Sequence, residues 1–342
     1  MGTLSAEEIR DVNVRYHDVA ADHYDSKWGI SFDELGQGQV RAKLRRALGQ
    51  APGHYERALE IGAGTGYFTL NMLAAGIIGD ATCTDISPGM LAQLAENAAA
   101  RGLVVATVAS DAERLPFDDA SFDLVFGHAV LHHIPDLAQA FSEMARVLAP
   151  GGALLFAGEP SRWGDRLAGV PKRLAGTAAP LWRLLVGARA AERVEGDDEE
   201  TPIGLESKVD VHAFAPGELS TLAREAGLER VRVSGEELLA NWFGWTNRTL
   251  EASADPDDVP WLWRQYAYRG YLALQAVDRS VLESHLPSAL FYNLMLSARK
   301  PGSARRRGPR GRPGSDAARN GSATNGARSN GSRPRPRAKP EP

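Results

Sequence analysis

Three glycines in five positions, Gly62, Gly64 and Gly66, interrupt the apolar run "LEIGAGTGYFTL" at residues 59–70. A strand that breaks there and restarts as a helix offers bare backbone to a ligand, because no side chain stands off the turn. Two acids follow at the ends of the next two apolar runs. Asp85 closes "ATCTD", about 20 residues after the loop, where a carboxylate accepts hydrogen bonds from both hydroxyls of a ribose. Asp111 closes "TVASD" and, with the backbone of Ala112, is placed to meet the exocyclic amine of a base. Each feature alone fits a structural turn, a helix cap or a loop carboxylate. Three consecutive strand ends carrying glycines, acid and acid read as a nucleoside site.

The spacing separates this site from its competitors. A dinucleotide fingerprint is G-x-G-x-x-G, whereas the loop here is G-x-G-x-G, and with Gly64 as the first glycine the third would fall at Thr69. The phosphate-binding loop that ends in Gly-Lys-Ser/Thr is absent. A smaller nucleoside fits better than either.

The elements that must hold these residues follow from the rhythm of the chain. "ERALEIG", "GDATCTDIS", "LVVATVASD", "FDLVFGHA" and "ALLFAGEP" read as buried strands. Between them, "TGYFTLNMLAAG", "SPGMLAQLAENAAARG" and "DLAQAFSEMARVLAPGG" read as helices, the second with Ser87 as N-cap and Pro88 in its first turn. Such alternation predicts an α/β fold, a Rossmann-like, mostly parallel sheet with helices on both faces and ligands at the carboxyl ends of the strands. Residues 1–50 read as an N-terminal helical lid and 51–300 as one domain. That domain is interrupted by insertions at about 161–213 and 236–286, and it closes with "APGELSTLAREAGLERVRVSG" and "SALFYNLMLSARK".

Composition bounds the rest. With 342 residues, 43% of them hydrophobic, the chain can bury a large core. No apolar run approaches the roughly 20 residues of a membrane span, and the first 25 residues are polar and acidic rather than signal-like. The one cysteine, Cys83, excludes an internal disulfide and reads as a buried strand thiol, so the expected compartment is the cytoplasm. Residues 301–342 carry eleven Lys or Arg against two acids, a net +9, which leaves −13 for residues 1–300. This tail, rich in Gly, Pro and Arg, is expected to be disordered.

At the loop, at "TDISPGML", at "SDAERLPFDDASFDLVFGHAVLHHIPD" and at "EMARVLAPGGALLFAGEP" the chain resembles the class I S-adenosylmethionine-dependent methyltransferases. Within them it is most similar to the branch that includes the ubiquinone and menaquinone C-methyltransferases. "YHDVAADHYD" resembles that branch's N-terminal lid. The resemblance covers roughly residues 16–160 and, more loosely, 214–234 and 287–300. It implies a seven-stranded sheet and S-adenosylmethionine as cofactor, and it assigns residues. Gly62, Ala63 and Gly64 would lie against the methionine portion, with Thr69 flanking. Asp85 would hold the ribose, Ile86 would meet the adenine, and Asp111 and Ala112 would bind the adenine edge. His128 would reach the amino acid end, and Tyr24, with Tyr16, would close over it. Glu60, a charge within an apolar strand, would bond loop backbone or the ammonium group. No metal is implied.

Methyl transfer from a sulfonium needs alignment and exclusion of water, and a base only if the acceptor arrives protonated. His128, His132 and His133 are the nearby imidazoles, and His132 is the candidate base, set against a purely structural role in its loop. No Asn/Asp-Pro-Pro-aromatic motif follows the fourth strand, which disfavours amino methylation of nucleobases. The lone strand cysteine disfavours the covalent route to 5-methylpyrimidines. The first insertion has seven Lys or Arg with Trp, Leu and Val, then the acidic run "EGDDEE". It reads either as a surface for a membrane or lipid-like acceptor, or as helices packed on the sheet with solvated arginines. The second insertion holds four of the seven tryptophans, as a cap over an apolar pocket would or as ordinary helix packing would. A small hydrophobic acceptor, quinone-, lipid- or polyketide-like, is therefore expected. The alternative is an RNA-associated methyltransferase or RNA-binding protein recruited by the basic tail, which would attract RNA or anionic membrane while the acidic body repels them.

Overall fold

In the computed structural model, which describes residues 5–28, 31–191 and 212–302, the alternation becomes sixteen helices and strands. Side chains are described for 5–18, 31–191 and 212–302. In order these are α1 (Ala6–Trp28), α2 (Glu34–Leu48), β1 (Tyr55–Ile61), α3 (Tyr67–Ala74), β2 (Ile78–Asp85), α4 (Pro88–Ala99), β3 (Ala106–Ala109) and β4 (Phe122–His128). There follow α5 (Leu137–Val147), β5 (Leu148–Pro160), α6 (Arg162–Val186), α7 (Pro216–Glu225), β6 (Glu229–Glu236), α8 (Leu239–Ala252), α9 (Trp261–Val277) and β7 (Asn293–Arg299). The seven strands form one sheet in the order β3-β2-β1-β4-β5-β7-β6. β1, β2, β3, β4 and β5 pair in parallel, and β7 lies antiparallel between β5 and β6. The order reverses at β1, so the crevice at the carboxyl ends of β1, β2 and β4 is where this architecture binds ligands.

Each face of the sheet buries its own cluster because alternate strand residues point to opposite sides. Leu59, Ile61, Leu154 and Phe156 pack with Phe141 and Met144 of α5 and Leu219 of α7. Ala58, Leu124, Phe126 and Leu155 pack on the other side with Val40 and Leu44 of α2 and Phe68 and Met72 of α3. Truncating Phe126 or Phe156 to Ala should cost about 3–5 kcal/mol, since neither has any appreciable exposure. Helix starts follow the expected chemistry: Ser87 caps α4 by accepting from Met90 N at 3.1 Å, with Pro88 at the first position. Cys83 is fully buried in β2, and burial pushes its thiol up.

α1 runs over the carboxyl ends of the strands, whereas α2 joins the sheet-flanking core through Val40, Leu44 and Ala47. The insertions supply α6, α8 and α9, which pack around Ala175, Ala179, Trp182, Leu250 and Ala254. α6 packs by its small residues and turns most of its large apolar side chains to solvent, an arrangement compatible with the reading of this insertion as a surface and unlike helices packed by those apolar side chains. The acidic run, the tail and the Tyr24 side chain lie outside the described residues. No helix among the described residues is long and apolar enough to cross a membrane.

Candidate functional site

The glycine loop is held from beneath. Gly62 and Gly64 have φ of 64° and 51°, the left-handed region where an L side chain is strained. A Cβ on Gly62 would also stand 2.4 Å from the Val130 side chain, while Gly64 faces open space on its Cβ side. Glu60, one residue before β1 ends, is buried and accepts from the backbone N–H of Thr69 at 3.2 Å and from its hydroxyl. Neither Glu60 nor Thr69 reaches the cavity wall. They pin the first turn of α3 to β1 and so fix the loop. Burial pushes the Glu60 carboxyl up to about 8.

Asp85 ends β2 with its two oxygens aimed at different amides, Oδ2 at Gly64 N (2.8 Å) and Oδ1 at Ser87 N (2.9 Å). Each oxygen retains a lone pair, so the pair of acceptors a ribose diol requires is already oriented. Burial raises this carboxyl, and the nearby His17 of α1 opposes that. Asp111 accepts from Glu113 N at 2.9 Å and forms an ion pair with Arg10 Nε at 2.6 Å, so α1 is tied across the end of β3. Gly62, Gly64, Asp85, Ile86, Asp111, Ala112 and His128 line one cavity, together with Arg10, Asn13 and His17 of α1.

His128 ends β4, stacked on Phe68 with ring centroids 4.7 Å apart. Its Nε2 lies 3.2 Å from Lys43 Nζ of α2. An ammonium only donates, so Nε2 accepts and the imidazole is the neutral Nδ1–H tautomer. Burial first, then the Lys43 charge, pushes its pKa down to about 3. Lys43 is held in turn by Glu236, at the end of β6, at 3.0 Å, and Arg46 pairs with the same carboxylate. Burial alone would raise Glu236, but the two cations outweigh it and hold it at about 2. His128 is thus a fixed neutral hydrogen-bonding group and no proton acceptor at neutral pH.

The next residues turn sharply. Ala129 has φ 53°, a conformation alanine seldom adopts, and donates to Ala157 O at 2.8 Å. Glu159, fully buried near the end of β5, then organises the whole turn. Its Oε1 accepts from Val130 N and Leu131 N at 3.0 and 3.1 Å, and its Oε2 accepts from His132 N at 3.2 Å and lies 2.9 Å from His132 Nδ1. His133, whose ring is 4.0 Å from that of His132, lines the cavity; His132 stands behind it, 8% exposed.

The structure therefore gathers Gly62, Gly64, Asp85, Ile86, Asp111, Ala112 and His128 around one cavity, and sets Glu60, Ala63, Thr69 and His132 behind its walls. Sequence reasoning missed Glu159, Lys43, Glu236 and Arg10, Asn13 and His17 of α1. Glu159 carried the same signal as Glu60, a carboxylate inside an apolar strand. Arg10 and Lys43 carried none, because only the fold brings α1 and α2 to the cleft. Among the described residues no cluster of three or more His, Cys, Asp or Glu could hold a metal. The donor set fits a nucleoside: a diol acceptor at Asp85, a base-edge acceptor at Asp111 and unblocked backbone at Gly64.

A family model described as "Methyltransferase domain" matches residues 59–156. The ubiquinone/menaquinone biosynthesis C-methyltransferase UbiE of Bordetella parapertussis is 32% identical over 231 residues, 66% of this chain and 83% of that protein. The malonyl-acyl-carrier-protein O-methyltransferase of Halorhodospira halophila is 34% identical over 143 residues, 42% of this chain and 46% of that protein. The chain spans about half the length of this and other curated relatives that it matches. Among solved structures, Haemonchus contortus phosphoethanolamine N-methyltransferase 2, in complex with phosphomonomethylethanolamine and S-adenosylhomocysteine, aligns with a TM-score of 0.53 at 18% identity. That alignment covers 87% of this chain and 60% of the other, a likeness of fold.

Proposed function

Because the chain belongs to the class I S-adenosylmethionine-dependent methyltransferases, in the branch of the ubiquinone/menaquinone C-methyltransferases, we propose that it transfers a methyl group to a small hydrophobic acceptor, quinone-, lipid- or polyketide-like. The observation that carries the cofactor half is Asp85, whose two oxygens are pre-aimed by Gly64 N and Ser87 N beside open backbone. The acceptor half rests on the aromatic-rich apolar helices α6, α8 and α9 that the insertions supply and on the quinone named by the Bordetella relative.

S-adenosylmethionine supplies an electrophilic methyl group. This chain's residues orient it and exclude water: Gly62, Ala63 and Gly64 against the methionine portion, with Thr69 flanking; Asp85 on the ribose; Ile86, Asp111 and Ala112 around the adenine; His128 donating from Nδ1 at the amino acid end; and Tyr24 closing from α1. Glu60 acts through Thr69 on the loop. For an acceptor that arrives protonated, His132 is the proposed base, and to reach the acceptor it needs the neighbouring His133, which lines the cavity, to move aside. Glu159 at Nδ1 fixes the tautomer, the proton is taken at Nε2, and the buried carboxylate stabilises the imidazolium. The enzyme is proposed to work in the cytoplasm, and its +9 tail to add salt-sensitive attraction to polyanions.

The test is transfer of labelled methyl from S-adenosylmethionine to demethylmenaquinone, to malonyl-acyl-carrier-protein and to RNA. Transfer to the quinone or another apolar acceptor is expected. Transfer to RNA alone would replace this reading with the RNA-associated one.

A further inference from the structure

α6 is built inside out. Its inward face is Gly164, Ala168, Ala175, Ala179 and Trp182, all buried, while Trp163, Val170, Leu174, Leu181, Leu184 and Leu185 are exposed. At 3.6 residues per turn those six fall within about 100° of arc, a continuous apolar stripe along a 25-residue helix. The C-terminal end of the stripe is its most exposed part, with Leu184 at 78% and Leu185 at 77%. There α9 begins: Trp182 of α6 meets Trp263 of α9 with ring centroids 5.1 Å apart, and beside Trp263 stand Trp261, 68% exposed, and Leu262, 73% exposed. Tyr266 and Tyr268 continue the exposed apolar surface along α9. A soluble monomer seldom leaves so many large apolar side chains together in water.

Charge selects what covers them. α6 carries five Lys or Arg against one Asp, and α9 two Arg and no acid, so the two helices sum to +6 on a body of net −13. Lys172 turns inward over the Trp245 ring at 3.7 Å. Arg166, Arg173, Arg264 and Arg269 are exposed, and Arg166 lies over the Trp163 ring at 5.1 Å. Arginines beside exposed Trp, Tyr and Leu match the interface of a bilayer with anionic headgroups, where aromatic rings sit at headgroup level and leucines enter the acyl boundary. A second copy of this chain would bring two such positive faces together. The chain's own segment 192–211 has eight acids but no aromatic residue and only five Val, Ile or Leu to set against the stripe.

We propose that α6 and the start of α9 form a docking face for an anionic lipid bilayer, which holds the enzyme on the surface from which an apolar acceptor is drawn. The docking stands apart from the choice of acceptor, and it uses a surface distinct from the tail.

The test is sedimentation of the full chain with vesicles of phosphatidylcholine alone and of phosphatidylcholine with about one third phosphatidylglycerol. Both are run at low salt and in about 0.5 M NaCl, where attraction of the tail is screened. Binding to the anionic vesicles should persist in part at high salt, and the quadruple variant Leu174→Ser, Leu181→Ser, Leu184→Ser, Leu185→Ser should weaken it about tenfold or more. A dye on the single variant Leu184→Cys should shift to the blue on those vesicles; Cys83 is buried and stays unlabelled. Equal binding by the quadruple variant, or no dye shift, overturns the proposal. A dimer in analytical ultracentrifugation that the same four substitutions dissolve would assign the face to a second copy. Vesicle binding that emerges only when Asp197, Asp198, Glu199 and Glu200 are made Asn or Gln would assign it to the chain's own acidic segment. Methyl transfer without vesicle binding would refute the docking face while leaving the proposed reaction intact.

Discussion

Glu159 Oε2 lies 2.9 Å from His132 Nδ1, and the same carboxylate accepts three successive backbone N–H groups of the turn after β4. One buried group therefore sets both the path of the turn and the imidazole tautomer. His132→Gln should lower kcat by about 10²–10⁴ with little change in cofactor affinity, for an acceptor that must lose a proton. Glu159→Gln, which puts an amide where Nδ1–H must donate, should lower kcat about tenfold and alter the acid limb of the pH–rate profile. Undiminished turnover and an unchanged profile in both variants would return the pair to a structural role.

Glu60 gives a pH signature in stability. Its pKa, pushed by burial up to about 8, exceeds the ordinary carboxylate value, so the folded state holds a proton that the unfolded state has released. That stabilisation is complete below about pH 4.5 and is lost progressively as pH rises to about 8. Denaturant melts at pH 5 and 8 should show wild type losing a few kcal/mol of stability over this interval, while Glu60→Gln loses less. Parallel curves for the two proteins would show that Glu60 stays ionised.

The Lys43–His128 contact predicts a tautomer. Long-range ¹H–¹⁵N spectra of wild type at neutral pH should show His128 protonated on Nδ1 alone. Lys43→Met removes the second-largest of the causes that depress its pKa, so the pKa should rise while burial still keeps it below the ordinary value. An Nε2–H tautomer in wild type would contradict the assignment.

Deleting residues 303–342 should leave the melting temperature and cofactor affinity nearly unchanged, because all seven strands of the described sheet lie before the tail, the last ending at Arg299. The +9 charge should go with it, and with that charge most of the salt-sensitive affinity for RNA and anionic vesicles. A large drop in melting temperature would mean that the tail packs on the body.

The alternation of strands and helices and the spacing from Gly62 to Asp85 to Asp111 were legible because they are local. Period-2 burial, Ser87 as cap and glycines at a turn are each decided by neighbours within a few residues. The particular cations that α1 and α2 bring were not legible, since Arg10 and Lys43 resemble any solvated cation until the fold sets them beside Asp111 and His128. The two readings of α6 stayed open for a related reason. Its apolar residues mark a face, but sequence cannot say whether that face turns inward, and here Gly164, Ala168, Ala175 and Ala179 take the packing instead.

The central claim is that the cavity between Gly64, Asp85 and Asp111 binds S-adenosylmethionine. Calorimetry with S-adenosylmethionine, its demethylated product and a nicotinamide dinucleotide tests it most directly. The two sulfur nucleosides should bind in the micromolar range, and Asp85→Ala should weaken them by about 1–3 kcal/mol through the lost charge-assisted hydrogen bonds. Tight binding of the dinucleotide with none of S-adenosylmethionine, or an Asp85→Ala variant that binds as wild type does, would contradict it.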